Sequence, residues 1–299
     1  MESTVARPEG VKHSLHILLN SLIDYAGLFP PSGLDMAKAV ANYAGYRQSP
    51  HCWALGRFIV PSARLQEFEQ CFVPDRHPWH LSALLGTDPA DDLARIAEFN
   101  GRHPHTAIVD TLEVKAATPM EITELRRHTP EGLIIYFEIS VADDPRPMVQ
   151  AIHAAHSRAK IRTGGLTEEM FPTGAQIVRF LDACISASVA FKATAGLHHP
   201  MRCTRALTYE KDSPVGAMHG FLNVFLASAF LLEGLPVGEL ESLLADDDPA
   251  NFQFGDSSIT WRSHRVTQAR LLESRALAAS FGSCSFEEPI ADLRTLNLL

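Results

Sequence analysis

The sequence predicts an α/β protein, a (β/α)8 TIM-type barrel. Short apolar runs alternate with longer amphipathic segments, the pattern of βα units around a parallel sheet. Eight strand candidates follow one another, the number that closes a barrel. No G-x-G-x-x-G follows the first run and no G-x-x-x-x-G-K-[ST] occurs, so a dinucleotide or P-loop fold has no motif. An open doubly wound sheet remains the rival, because strand number does not prove closure. No Gly/Ser tract, long charge run or composition shift marks a linker. Residues 1–299 therefore read as one barrel domain, with residues 1–11 as a loose N-terminal extension.

Lys12 to Ser21 reads as a lead-in helix, and Leu22 to Ala26 (LIDYA) as the first strand. The turn GLFPPSG leads into a helix through Arg47. Trp53 to Val60 is the second strand, with Pro61 and Ser62 opening a helix. His80 to Leu85 is the third, and GTDPADD then supplies a helix start with acids in its first turn. Thr106 to Leu112 is the fourth, with an extension to Lys115 left open, and Thr118-Pro119 starts the next helix. Leu133 to Ser140 (LIIYFEIS) is the fifth, Arg158 to Thr163 the sixth and Val189 to Ala195 the seventh. The eighth is either Asn251 to Phe254 or Ser258 to Trp261, and Arg265 to Phe281 reads as a final helix.

The charge of −9 argues against non-specific nucleic-acid binding, which needs a basic surface to displace counterions. The cysteine count of 5 is odd and contains no C-x-x-C, so a disulfide framework or structural zinc is not expected and a reducing compartment is. The N-terminus MESTVARPEG has no apolar signal core. The most apolar stretch, Phe221 to Leu235, carries Asn223, Ser228 and Glu233 and reads as a buried helix rather than a membrane span. These features point to a cytoplasmic chain with a small-molecule substrate, no nucleic-acid or membrane partner and no cofactor. Self-association is left open.

The sixth strand reads A-K-I-R-T-G-G and the seventh F-K-A-T-A-G-L-H-H-P. Each places a lysine inside a short apolar run, next to a glycine-bearing turn. Lysine is rarely buried without a partner, because an ammonium is costly to desolvate. Barrel enzymes carry their chemistry at the C-terminal ends of strands. Lys160 and Lys192 lie about one βα repeat apart and so should sit at similar levels on adjacent strands. Two close ammonium groups disfavour each other's charge. One should therefore have a lowered pKa and, as a neutral amine, be able to attack a carbonyl. The alternative for each is an outward-facing lysine paired with a carboxylate. On this reading Lys160→Leu should be neutral or stabilising.

K-I-R-T-G resembles the K-T-S-T-G strand of the deoxyribose-phosphate aldolase family at Lys160, Thr163 and Gly164. K-A-T-A-G-L resembles that family's K-A-S-G-G-I at Lys192, Ala193, Gly196 and Leu197. I-V-D-T-L resembles its D-x-V segment at Asp110. The resemblance implies a class I aldolase-like lyase in which Lys160 forms the Schiff base, Lys192 tunes its pKa and Asp110 helps move protons. Arg162 could hold a substrate anion bidentately or pair with Glu138. Thr163, Gly164 and Gly165 could present N–H groups to an anion or form a tight turn. Thr194, Glu138, His198, His199, His219 and Asn223 complete the candidate substrate-binding set. The substrate class is a small polar or anionic carbonyl compound. Asp24, Asp110, Glu138, Lys160 and Lys192 are all expected at the C-terminal mouth.

Two rival functions stand beside this one. A metal-dependent hydrolase or isomerase would use His198 or His199 with His219, Asp24 and Glu138. No H-x-H or H-E-x-x-H occurs, and adjacent histidines on extended chain diverge, so no metal ligands are assigned. A non-catalytic barrel that binds a small ligand would show neither a perturbed lysine nor a metal.

Overall fold

A computed structural model describes residues 7–299, and the part of the expected N-terminal extension formed by residues 1–6 lies outside them. The barrel strands are β1 (Ile23–Tyr25), β2 (Leu55–Pro61), β3 (Trp79–Leu84), β4 (Ala107–Lys115), β5 (Ile134–Glu138), β6 (Arg158–Arg162) and β7 (Phe191–Thr194). A hairpin of β8 (Cys203–Ala206) and β9 (Val215–Met218) follows. Then come an antiparallel sheet of β10 (Phe252–Phe254), β11 (Ser258–Trp261) and β12 (His264–Thr267), and finally β13 (Ala278–Ser283). The eight parallel strands close in the order β1-β13-β7-β6-β5-β4-β3-β2, which excludes the open sheet.

The eighth strand corrects the sequence reading. Both candidates, 251–254 and 258–261, belong to the antiparallel sheet, and the barrel is closed by β13. The expected helix 265–281 is in fact β12, a helix Gln268–Leu277 and then β13. ALAASFGS carries few β-branched residues and continues an alanine-rich helix, so local propensity misreads it. Its small residues have a use. A Cβ on Gly282 would stand 3.2 Å from Ile59 and 3.3 Å from Thr194 Oγ1, which leaves the barrel interior narrow at that level.

The lead-in helix forms at His13–Leu19. Residues 7–11 are not loose: Arg7 pairs with Asp256 at 3.0 Å and Val11 is buried. Outside β2 and β3, Tyr43, Phe58, Phe68 and Trp79 form a contiguous aromatic cluster under the helices, which fixes Phe58 outward. Alternation then turns Arg57 and Ile59 toward the interior. Helix Phe221–Leu232 buries its first ten residues against neighbouring helices, and among the described residues no helix is long and apolar enough to cross a membrane.

Candidate active site

At the C-terminal ends of the strands a cavity of about 700 Å³ opens, walled by the loop after β1 (Phe29, Pro30), by β2–β3 (Ile59, Leu84) and by the loop after β6 (Gly165, Met170). Glu113, Glu138, Lys160, Arg162, Thr194, His198 and Cys284 line it. Here an apolar wall surrounds a few convergent charges, the form of a small-molecule site.

Lys160 and Lys192 are direct register partners on β6 and β7. Both are buried, at 4% and 1% exposure, so neither takes the outward-facing alternative. Each is paired twice. Lys160 Nζ lies 2.8 Å from Glu113 Oε2 and 2.8 Å from Glu138 Oε2. Lys192 Nζ donates to Asp24 Oδ2 at 2.6 Å and to Glu113 Oε1 at 2.7 Å. The acids are held in turn. Ser82 donates to Glu113 Oε1, Ser280 to Asp24 Oδ2, and the Arg57 backbone N–H to Asp24 Oδ1. The result is an alternating chain, Asp24–Lys192–Glu113–Lys160–Glu138–Arg162, that crosses the barrel with its charges balanced. Buried charges persist only when paired and hydrogen-bonded in this way.

Of the two amines, one of which was expected to have a lowered pKa, Lys192 is not that one. Burial works against its charge, but the Asp24 and Glu113 carboxylates outweigh burial and hold it above the ordinary lysine value. Burial likewise works against the Glu113 charge, and the two lysines reverse it to well below the usual carboxylate range. Glu138 is lowered against burial by Lys160 first and then by Arg162.

Asp110 is not part of this chain. Its carboxylate takes Arg57 Nε at 2.7 Å and His80 Nδ1 at 2.7 Å, near the N-terminal ends of β2 and β3 and away from the cavity. A shift in the β3–β4 register between Leu81 and Ser82 breaks simple alternation there. The acid between the lysines is Glu113, three residues on. The signal for it was present: T-L-E-V-K sets a charged residue in an apolar run, as both lysine strands do, once the fourth strand extends to Lys115. Of the five residues expected at the mouth, Glu138 and Lys160 face the cavity. Asp24 and Lys192 are sealed from it, and Asp110 lies toward the other end.

The remaining candidates divide. Arg162 Nε sits 3.4 Å from Glu138 Oε1, the pairing offered as its alternative, and its guanidinium remains part exposed in the cavity wall. Thr194 and Gly165 line the cavity. Thr163 is fully buried and donates to Ala195 O at 2.7 Å, which ties the ends of β6 and β7 together. Gly164 faces Gly196: a Cβ on either would approach the other's Cα to 2.8 Å, so close packing of the two turns requires glycine at both. Asn223 is buried away from the cavity. It accepts from the Arg202 N–H and donates to Leu243 O and Asp246 O.

The histidines do not converge. His198 Nδ1 faces Glu288 and Cys284, His199 Nδ1 faces Asp292, and His219 Nε2 bonds to Pro172 O. Asp24 and Glu138 hold lysines. No group of three His, Cys, Asp or Glu side chains among the described residues is placed to share a metal ion. Cys284 and Glu288 were not singled out in the sequence, where Ser280 to Pro289 reads as a stretch that folds back over the barrel or as a C-cap and loop.

Comparison of the chain with protein-family models, with curated proteins and with solved structures gives no match.

Proposed function

We propose that the chain is an enzyme of the Schiff-base lyase type, acting on a small anionic carbonyl compound with Lys160 as the amine. The observation that carries this reading is the position of Lys160. It is the buried lysine that reaches the cavity, between two carboxylates, with the Arg162 guanidinium beside it. An ammonium cannot attack a carbonyl, so its proton must first leave. Glu113 and Glu138 both line the cavity and touch Lys160, but Glu113 is also held by Lys192 and Ser82, so Glu138 is the acceptor. The amine then adds to the carbonyl carbon, a proton passes from its nitrogen to the new alkoxide to give the carbinolamine, Glu138 returns its proton to that hydroxyl, and water leaves as the iminium forms. Arg162 orients the substrate anion. Lys192 takes a role different from the one the aldolase resemblance implies. By occupying Glu113 Oε1 it shares that carboxylate with Lys160 and weakens the hold of Glu113 on the Lys160 proton.

The double carboxylate clamp on Lys160 also favours a second reading. In it Lys160 remains an ammonium and acts as the acid, and Glu138 is the base, in a non-covalent proton transfer next to a carbonyl. One experiment separates the two. The protein is reduced with borohydride in the presence of a 2-oxo acid or an aldose phosphate, and the product is mapped by peptide mass. A stable adduct on Lys160 supports the first reading. Turnover without an adduct supports the second. Labelling only of exposed lysines such as Lys12 or Lys211 defeats the Schiff-base proposal.

A further inference from the structure

Cys284 directly follows β13 at the rim of the same cavity, on the barrel strand that sequence reading misses. Its Sγ lies 3.9 Å from His198 Nδ1, and that nitrogen lies 3.3 Å from Glu288 Oε2. Tyr209, from the β8–β9 hairpin, closes the group. Its hydroxyl donates to Glu288 Oε2 at 3.2 Å and stands 3.9 Å from Cys284 Sγ. Ser32, from the loop after β1, and Tyr25 stand near the sulfur. His199 and Asp292 form a separate pair one step away at 2.5 Å. Of the groups facing the sulfur, His198 supplies the positive charge and Glu288 the negative one. The Lys160 mechanism uses none of these residues.

We propose that Cys284 is a second nucleophile of the cavity, a thiolate paired with the His198 imidazolium that adds reversibly to aldehydes. The sulfur lone pair forms a C–S bond to the carbonyl carbon. The C=O π pair moves to oxygen, and that oxygen takes the His198 Nδ1 proton, leaving neutral imidazole and a thiohemiacetal. No electron is gained or lost, and the same path in reverse releases the aldehyde. Before the transfer, Glu288 Oε2 at 3.3 Å from Nδ1 balances the imidazolium charge.

The electrostatics agree with the geometry. Burial alone would raise the Cys284 thiol, but the His198 hydrogen bond and charge hold it below the ordinary cysteine value. Burial alone would lower His198, but Cys284 and Glu288 push it up to about 9. Elsewhere burial acts unopposed: it pushes the Cys184 thiol well up.

The test needs no knowledge of Lys160, so its failure and the failure of the Schiff-base reading are separate events. The folded chain is alkylated with iodoacetamide from pH 5 to 10, and the rate at each cysteine is read by peptide mapping. The midpoint for Cys284 should fall below the free-thiol value of about 8.5. In His198→Gln it should rise by about one unit or more, slowing labelling at pH 7 about tenfold. Propionaldehyde should protect Cys284 reversibly, with labelling restored on dilution, whereas propan-1-ol of similar size should not. A wild-type midpoint at or above 8.5 overturns the proposal whether or not the variant folds. So does a midpoint that His198→Gln leaves in place, a Cys284 that never labels in the folded chain, or equal protection by aldehyde and alcohol.

Discussion

Lys160 and Lys192 share one carboxylate: Glu113 sets Oε2 2.8 Å from the first ammonium and Oε1 2.7 Å from the second. Glu113 is 1% exposed, so it cannot exchange this role with water. Glu113→Gln keeps the shape and removes the charge, leaving Lys160 with Glu138 alone and Lys192 with Asp24 alone. Breaking a buried pair in this way costs about 3–5 kcal/mol. Urea denaturation should show that loss, and a change under about 1 kcal/mol would mean the network is not cooperative.

The pairing reverses the expectation that Lys160→Leu is harmless. The desolvation cost of the amine is relieved, but Glu113 Oε2 and Glu138 Oε2 lose their partner, and Glu138 keeps only Arg162 at 3.4 Å. The variant should lose about 3 kcal/mol or more. Adding Glu138→Gln to it should restore part of the loss, because the second change removes a charge the first has left with Arg162 alone. A double-mutant cycle with no coupling between the two positions would contradict the geometry.

The shifted groups set the pH limits of stability. Glu113 and Glu138 have folded-state pKa values below their unfolded ones. Their contribution is therefore present above the unfolded value of about 4.3 and is lost as pH falls through the folded values. Lys192 is shifted upward, so its contribution is complete below about 10.4 and is lost only as pH rises through the higher folded value. Urea midpoints measured against pH should fall steeply in acid for the wild type. Glu138→Gln should flatten that fall below about pH 4.3 and leave the alkaline limb where it is.

Asp110→Asn tests the correction to the aldolase resemblance. It breaks the charged contacts to Arg57 and His80, which are part exposed, so it should cost about 1–3 kcal/mol. It touches neither lysine, and borohydride trapping at Lys160 should proceed at the wild-type rate. A loss of trapping in a folded Asp110→Asn protein would return Asp110 to the chemistry.

Much of the barrel was legible because seven strands are short apolar runs set off by turn residues, and tertiary burial agrees with that local signal. The eighth was not, because ALAASFGS has few β-branched residues, and the narrow space around Gly282 that its small side chains fit is invisible to propensity. In the site, Lys160, Lys192, Glu138 and Arg162 were readable as charges stranded in apolar strands. Asp110 was preferred to Glu113 because the resemblance fell on it, and a register shift between β3 and β4 cannot be read from one strand. Cys284 and His198 come together only through closure of β13 against β7, across a sequence gap that no local pattern bridges.

Gly196 tests whether the glycine turns shape the cavity or bind an anion. Its φ is +73°, a region that disfavours side chains. A Cβ there would also stand 2.8 Å from Gly164 Cα, 2.8 Å from Phe171 and 3.0 Å from Thr163 O. Two of those three atoms are backbone and cannot swing aside. Gly196→Ala should therefore cost about 1–3 kcal/mol from overpacking, with about 1 kcal/mol more from the backbone. The strain falls where Thr163 ties β6 to β7, so the variant should also displace the Gly165–Met170 wall and weaken substrate binding while trapping at Lys160 persists at saturating carbonyl compound. Gly165→Ala is the contrast. Its φ is not in that region, and a Cβ would meet the Met170 thioether, which can swing away, and Met170 Cβ at 2.8 Å, which moves only with its loop. It should lose less stability than Gly196→Ala. If Gly165→Ala instead abolishes binding of an anionic ligand in calorimetry while Gly196→Ala does not, the turn binds the anion directly, and the packing account of Gly164 and Gly196 must yield to it.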